Sequence, residues 1–161
     1  MLVGSLLALL GFRQLEADTN LWRNSSCVEF VQAAHGLRSF PELTLTQMQD
    51  RLKQPGGFIL FDTRYAGDMN WGHLPGALAL PIDSTQSQVS ERVVNLDRQK
   101  PVILYCQSAG CGFSDWMAIV LTSFGFRDVS IYRGGWREWE TSLTEAEQAS
   151  EAAGEIMLQD P

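Results

Sequence analysis

Two cysteines five positions apart, Cys106 and Cys111, are the residues of this chain best suited to chemistry. Cys106 follows an apolar run at 101–105 that is typical of a short buried strand. A short loop comes next, and apolar residues then recur at helical spacing across residues 113–121. A loop between a strand and a helix directs its backbone N–H groups and the helix N-terminus toward one point, which stabilises a thiolate. The pattern predicts a nucleophilic Cys106, with an inert buried cysteine as the competing interpretation. The anion-binding loop would consist of Gln107, Ser108, Ala109, Gly110, Cys111 and Gly112.

Strand and helix signals alternate from Leu43 to Leu143. Short apolar runs predict strands at 43–45, 58–61, 77–80, 102–105 and 129–132. Helices are predicted at 46–52, 84–95, 113–124 and 136–143, with a helical turn within 65–71. Thr46 and Gln49 fit a capping box for the first helix, and Gly125 is placed to end the third. This alternation predicts an α/β domain with a small parallel sheet and helices on both faces. Ligands bind at the C-terminal strand ends of such sheets, where Asp62 and Cys106 both lie.

The pattern divides the chain into three parts. We expect an apolar N-terminal segment with a linker or helical extension at 1–41, a domain at 42–143 and an acidic, Ala-rich tail at 144–161 that is interpreted as a helix that frays. Residues 1–12 are apolar and uncharged, but they are too short to span a bilayer. They are interpreted as a helix that packs on the domain or a partner, as the end of a membrane segment, or as a degenerate export signal. The cytoplasm is the favoured compartment, with a membrane-proximal or exported location as alternatives.

Composition argues against several classes of partner and site. The chain has 161 residues and a net charge of −7 without a cluster of Lys and Arg, which disfavours nucleic acid or an anionic membrane as the main partner. Its three cysteines are too few for a secreted disulfide framework, and Cys27 is interpreted as a lone thiol without a task. His35 and His73 lie far from each other and from the cysteines, so neither a metal site nor a cofactor is expected.

Four segments resemble, in the same order, the rhodanese-like (sulfurtransferase) domain family. Residues 61–64 (FDTR) look like the family's strand-end Asp-x-Arg, and residues 72–77 (GHLPGA) resemble its GHIPGA segment. Tyr105 and Cys106 are similar to the strand end that carries the family's nucleophile. Residues 121–136 (LTSFGFRDVSIYRGGW) resemble its closing helix, strand and double glycine. The resemblance covers residues 43–143, and it implies the rhodanese-like fold with Cys106 as the nucleophile.

The supporting motifs also have physical interpretations of their own. Asp62 and Arg64 follow a buried strand, and a structural ion pair is favoured over a catalytic acid. His73 lies in a turn, where it is expected to bond backbone groups and fix that turn, with proton shuttling as the minority interpretation. Trp136 and Trp139 stand at helical spacing and are expected in the core rather than in a substrate platform.

The chain departs from the family at Cys111, because a typical rhodanese loop has an arginine five residues after the nucleophile. An arginine would supply a fixed positive charge and two parallel hydrogen bonds to an anion. Without it, anion binding depends on backbone amides and the helix terminus. Cys111 also allows a second chemistry: two cysteines whose Cα atoms lie about 5.5–6 Å apart can form a disulfide. Cys106 would then attack and Cys111 would resolve, in thiol–disulfide exchange or by expelling sulfide from a Cys106 persulfide. The competing interpretation makes Cys111 a small buried residue in the first helical turn.

With the resemblance, these residues predict a sulfurtransferase. Cys106 takes a sulfane sulfur from a small anion such as thiosulfate or polysulfide and passes it, as a persulfide, to a thiol or cyanide acceptor. The loop N–H groups, the helix dipole and the Ser108 hydroxyl stabilise the charged sulfur.

Three alternatives stay open. The first is a thiol–disulfide redox protein using Cys106 and Cys111. The second is a non-catalytic sulfur-carrier or interaction module tethered through residues 1–12. The third is a phosphatase or arsenate-reductase-like enzyme, which the short loop disfavours.

Overall fold

Five short strands pair side by side in one sheet: β1 (Glu42–Leu43), β2 (Ile59–Asp62), β3 (Leu78–Ala79), β4 (Val102–Tyr105) and β5 (Val129–Tyr132). Their order is β1-β5-β4-β2-β3, and every neighbouring pair is parallel. The computed structural model describes the backbone of residues 39–157 and the side chains of residues 39–148. The predictions for residues 1–12, Cys27 and His35 therefore lie outside the described residues.

In the part of the chain that the structure describes, four helices connect and follow the strands: α1 (Leu45–Leu52), α2 (Gln86–Val93), α3 (Phe113–Ser123) and α4 (Gly135–Met157), with a 3-10 helix at Asp68–Trp71. Several helix ends differ from the predictions, most clearly the start of α1 and the end of α4. The capping box at Thr46 is wrong, because Thr44 and Gln47 exchange the two capping bonds instead. The sequence fits the box at both threonines, and a start at Leu45 brings Met48 fully into the core. The last helix does not end at Leu143, because the Glu- and Ala-rich residues after it continue α4 to Met157, in agreement with the interpretation of the tail as a helix.

The bounds of β4 and β5 and the start of α3 agree with the predictions, whereas β1, β2, β3 and α2 are shifted or shortened by one or two residues at their ends. The apolar runs predict β4 and β5 without error, and α3 ends before Gly125, whose φ of +91° is the left-handed conformation that terminates helices. Among the described residues, none of the helices is both long enough and apolar enough to cross a membrane.

The core on one face of the sheet lies between the strands, α1 and α4. It consists of Met48, Leu60, Leu74, Ile103, Tyr105, Tyr132, Trp136 and Trp139. The core positions predicted for both tryptophans are therefore confirmed. Alternate strand residues point to the opposite face, where Phe61, Leu104 and Ile131 are at most 1% exposed and α3 packs on β4 and β5. Burying each such side chain stabilises the fold by about 1.5–3 kcal/mol. The predicted parallel sheet with helices on both faces is confirmed.

Candidate active site

Cys106 lies directly after β4 and is only 2% exposed. Its carbonyl oxygen accepts a hydrogen bond from the backbone N–H of Trp136 at 2.9 Å, and the Gln107 carbonyl accepts one from Arg137 at 3.0 Å. Both donors belong to the first turn of α4, whose N–H groups have no partner within their own helix. The start of α4 therefore fixes the base of the loop and holds these two carbonyl oxygens toward itself.

Glycine is required at position 135, where α4 begins against this loop. Gly135 has a φ of +68°, and an added Cβ would overlap the carbonyl oxygen of Cys106 and lie 2.9 Å from the backbone nitrogen of Ser108. A side chain would thus meet both backbone strain and rigid backbone atoms. The double glycine of the sequence motif lets the helix approach the cysteine this closely.

Residues 107–112 lead from Cys106 into α3. The backbone N–H of Cys111 donates to the Ser108 carbonyl at 3.0 Å and closes a tight turn. Among residues 39–157, the N–H groups of Ser108, Ala109 and Gly110 have no acceptor. Ala109 and Gly110 are exposed, and no side chain caps the start of α3 at Gly112. The loop thus offers the donors that the sequence predicts for an anion, while the binding itself stays a prediction.

Cys106 and Cys111 form a disulfide across the loop, with their Cα atoms 6.2 Å apart. That separation lies within the usual range for a disulfide, about 4.4–6.8 Å. Cys111 is half-buried and precedes α3, which begins at Phe113. Cys111 is thus neither fully buried nor within α3, and its role as a resolving thiol stays a prediction. The two sulfur atoms are therefore close enough to react with each other.

Asp62 and Arg64 form a buried ion pair at the C-terminal end of β2. The Arg64 side chain donates to the carboxylate from Nε at 3.0 Å and from Nη2 at 2.6 Å, and its backbone N–H donates to Oδ1 at 3.0 Å. The side chain of Asp62 is 0% exposed and that of Arg64 is 3% exposed. The structural ion pair predicted from the sequence is present, and both charges are satisfied within it.

The guanidinium of Arg64 also joins three other parts of the site. It donates to the Gly72 carbonyl at 2.6 Å and to Oε1 of Gln107 at 3.4 Å, and it lies over the Trp136 ring at 5.3 Å. Gly72 is itself against that ring, since an added Cβ would lie 2.6 Å from Cη2. Burial alone would lower the pKa of Arg64, but the hydrogen bond and charge of Asp62 outweigh burial and raise it. The group therefore stays charged while it fixes the loop, the 3-10 segment and α4.

Tyr105 is the residue of this site that sequence reasoning missed. The β2–β4 register places it beside Asp62, and its O–H donates to Oδ2 at 2.6 Å while accepting from the Leu74 N–H at 3.2 Å. Burial, reinforced by the charge of Asp62, raises the pKa of Tyr105 well above its ordinary value. A signal was available, because a tyrosine in a fully buried strand needs a partner for its hydroxyl.

His73 lies apart from the loop. It is exposed, and its Nδ1 is 3.1 Å from the carbonyl oxygen of Met69. This is the backbone contact predicted from the sequence, and it ties the turn that follows the 3-10 helix. Within the described part of the chain, His73 has no hydrogen bond to residues 106–112, and no cluster of His, Cys, Asp and Glu could hold a metal ion. The structure thus brings Asp62 and Arg64 to the loop, but not His73.

The first turn of α3 carries a buried negative charge that is neutralised. Asp115 accepts hydrogen bonds from Nη1 and Nη2 of Arg133 at 2.6 and 3.0 Å, and Arg133 also pairs with Glu42 at 2.8 Å. The hydrogen bond to Asp115 is the main reason that the pKa of Arg133 is raised. A bare carboxylate here would oppose an anion in the loop, so Arg133 preserves the positive character of the helix N-terminus.

Comparisons with known structures agree with this fold. The rhodanese-like domain of the Anabaena Alr3790 protein has a TM-score of 0.53 at 25% identity, covering 64% of this chain and 75% of that one. A human single-domain sulfurtransferase has a TM-score of 0.51 at 21% identity, covering 64% of this chain and 97% of its own. A single-domain sulfurtransferase of Saccharomyces cerevisiae has a TM-score of 0.51 at 16% identity, covering 66% and 93%. The last two likenesses concern the fold alone.

The sequence comparisons identify the family. An HTH-type transcriptional regulator of Mycobacterium tuberculosis is 27% identical over 138 residues, which are 85% of this chain and 55% of the regulator. The chain therefore spans about half the length of that relative. A family model described as the rhodanese-like domain matches residues 44–142, a range that includes the ion pair, the Cys106 loop and Trp136. The chain belongs to the rhodanese-like domain family.

Proposed function

We propose that this chain is a sulfurtransferase in which Cys106 accepts a sulfane sulfur and carries it as a persulfide. The position of Cys106 carries the proposal: it directly follows β4, at the base of a loop with N–H groups that lack acceptors among the described residues. Membership of the rhodanese-like family and the fold shared with single-domain sulfurtransferases support the same chemistry. The substrates would be a small sulfur-containing anion and a thiol or cyanide acceptor.

The reaction starts from the reduced protein. The Cys106 thiolate attacks the outer sulfur of thiosulfate or polysulfide and forms a new S–S bond. The donor's own S–S bond breaks, and sulfite or the shortened polysulfide leaves with the electron pair. An acceptor thiolate or cyanide then attacks the terminal sulfur and returns Cys106 as a thiolate. Because donor product leaves before the acceptor reacts, the kinetics are ping-pong.

The loop supplies the electrostatic stabilisation in both half-reactions. The N–H groups of Ser108, Ala109 and Gly110 and the N-terminus of α3 would face first the thiolate and then the charged terminal sulfur. Arg64 is a positioning residue, because Asp62 cancels its charge while its contacts to Gly72 and Gln107 hold the surroundings of the loop. Among the described side chains, Arg64 is the cation with a recorded hydrogen bond to the loop, and because Asp62 pairs with it, it does not replace the arginine that typical rhodanese loops have at the position of Cys111.

Steady-state kinetics test this proposal. In reduced Cys111→Ser protein, which has no second thiol to convert the persulfide into a disulfide, thiocyanate formation from thiosulfate and cyanide would give parallel lines in double-reciprocal plots as the fixed substrate is varied. Cys106→Ser would abolish turnover, whereas Cys27→Ser, at a cysteine without an assigned task, would keep it. Intersecting lines, or turnover that survives Cys106→Ser, would contradict the persulfide mechanism.

The disulfide supports a second candidate function, thiol–disulfide exchange without sulfur transfer. Such a reaction needs both Cys106 and Cys111, which are bonded in the structure, and it needs no sulfur donor. Reduction of a small disulfide substrate would then be lost in both Cys106→Ser and Cys111→Ser. Sulfur transfer to cyanide requires Cys106 alone, so the two single variants separate the candidates.

A further inference from the structure

We infer that Cys111 resolves the Cys106 persulfide, so that the chain can release inorganic sulfide and finish in the disulfide seen in the structure. This inference rests on the proposed function, because it requires a persulfide on Cys106. It adds an activity, the reduction of a sulfane sulfur to sulfide. It also names the class of substrate that completes the cycle, a dithiol reductant.

The geometry selects which sulfur of the persulfide Cys111 attacks. The Cα atoms of the two cysteines are 6.2 Å apart, and both backbones are held, Cys106 by the Trp136 N–H and Cys111 by its bond to Ser108. With these anchors retained after reduction, the Cys111 sulfur is directed at the Sγ atom of Cys106. That atom is the inner sulfur of the persulfide. Attack there expels the outer sulfur rather than moving it to Cys111.

The step balances without an external oxidant. The Cys111 thiol gives up its proton and its sulfur bonds to Sγ of Cys106, while the bond from Sγ to the outer sulfur breaks. The outer sulfur takes the electron pair and the proton and leaves as HS⁻. The sulfane sulfur is reduced by two electrons, and the two cysteine sulfurs are oxidised together to the disulfide.

Exposure indicates where the reductant enters. Cys106 is 2% exposed whereas Cys111 is half-buried, so a thiolate from solvent reaches the Cys111 sulfur first. Cys106 is then the leaving group, and the loop N–H groups with the start of α3 stabilise its thiolate. The second thiol of the reductant attacks the mixed disulfide and frees Cys111. One dithiol is thereby oxidised to its disulfide for each sulfide released.

A single-turnover experiment tests the inference. The full chain is reduced, freed of reductant and mixed with thiosulfate, which yields sulfite and not sulfide in the transfer step. The wild type is expected to release about one sulfide per chain and to lose two hydrogens in intact mass, since one disulfide forms. Cys111→Ser and Cys111→Ala are expected to release none and to gain one sulfur atom. Cys27→Ser is the matched control and is expected to behave as the wild type.

Each other outcome has a distinct meaning. The wild type could instead keep one added sulfur as stably as Cys111→Ser and release no sulfide. That result overturns the resolving role of Cys111 and leaves the sulfurtransferase proposal intact. An added sulfur mapped to Cys111 by peptide mass overturns attack at the inner sulfur. If no variant gains sulfur and the wild type releases no sulfide, the proposed function and this inference fail together. Retained thiocyanate formation in Cys111→Ser shows that the variant is folded.

Discussion

The backbone N–H of Trp136 lies 2.9 Å from the carbonyl oxygen of Cys106, and this bond joins the start of α4 to the end of β4. The cysteine is therefore held by the sheet on one side and by a helix N-terminus on the other. The bond is formed only because Gly135, the residue before Trp136, has no side chain to separate the two backbones. The geometry of the nucleophile thus depends on a glycine outside its own loop.

Gly135→Ala is expected to destabilise the fold and slow sulfur transfer. The new Cβ would meet rigid backbone atoms of Cys106 and Ser108 at a φ of +68°, and overpacking of this kind costs about 1–3 kcal/mol. Urea unfolding and single-turnover persulfide formation measure the two effects. Gly110→Ala is the control within the same loop, since nothing lies within 4 Å of its added Cβ, and its stability should stay within about 0.5 kcal/mol of wild type. Equal behaviour of the two variants would argue against the role given to Gly135.

Arg64→Met is expected to destabilise the fold by about 3–5 kcal/mol, because Asp62 is left buried without its counter-charge. Lys53→Met provides the comparison at an exposed pair, where Lys53 and Asp50 are 72% and 63% exposed and the loss should be about 1 kcal/mol or less. Chemical denaturation measures both. If Arg64→Met proves as mild as Lys53→Met, the buried pair does not support the site as described. Adding Asp62→Asn to Arg64→Met should recover part of the loss.

Much of the framework could be predicted because its signals are local. The apolar runs that precede Cys106 and Arg133 set the bounds of β4 and β5. Asp62 and Arg64 are two residues apart at a strand end, so their pairing needs no knowledge of distant parts of the chain.

The rest depends on relations that sequence does not contain. The bond from Tyr105 to Asp62 spans 43 positions and follows from the register between β2 and β4. The bond between Cys111 and Cys106 depends on the turn closed by the Ser108 carbonyl, which brings the two residues together. The start of α1 differs from the prediction because two overlapping threonines fit the same local pattern, and the local sequence does not decide between them.

Cys111→Arg is expected to raise kcat/KM for thiosulfate. The new guanidinium would supply the charge that the loop lacks, and a charge-assisted hydrogen bond of about 1.5 kcal/mol corresponds to roughly a tenfold gain. Cys111→Ser, which removes the thiol without adding charge, is the control and should show no such gain. Thiosulfate turnover in Cys111→Arg that is unchanged or lower would count against the account of the missing arginine.

Stability is expected to fall as the pH rises above 10. Burial, followed by the nearby carboxylates, raises the pKa of Tyr105 and of Tyr132 above the ordinary value of 10.0. The unfolded chain then loses these protons at lower pH than the folded chain, so stability is complete below pH 10 and declines above it. Tyr105→Phe should make this decline shallower. It should also cost about 1–3 kcal/mol at neutral pH, because Asp62 and the Leu74 N–H lose a partner.

Urea unfolding between neutral and alkaline pH measures this effect. Tyr65→Phe is the control, because Tyr65 is 51% exposed and its ring contacts only the edge of Phe113 among the described aromatic residues. Its alkaline decline should match that of the wild type. An equally steep decline in Tyr105→Phe would show that Tyr105 does not carry the pH dependence.

Intact mass shows without further assumptions whether Cys106 carries the transferred sulfur. Reduced Cys111→Ser protein, in which a persulfide cannot be resolved, is incubated with thiosulfate or polysulfide beside Cys106→Ser. We expect that Cys111→Ser gains the mass of one sulfur atom, that a thiol removes it, and that Cys106→Ser gains none. An unchanged mass in both variants, or an equal gain in both, would contradict a persulfide on Cys106.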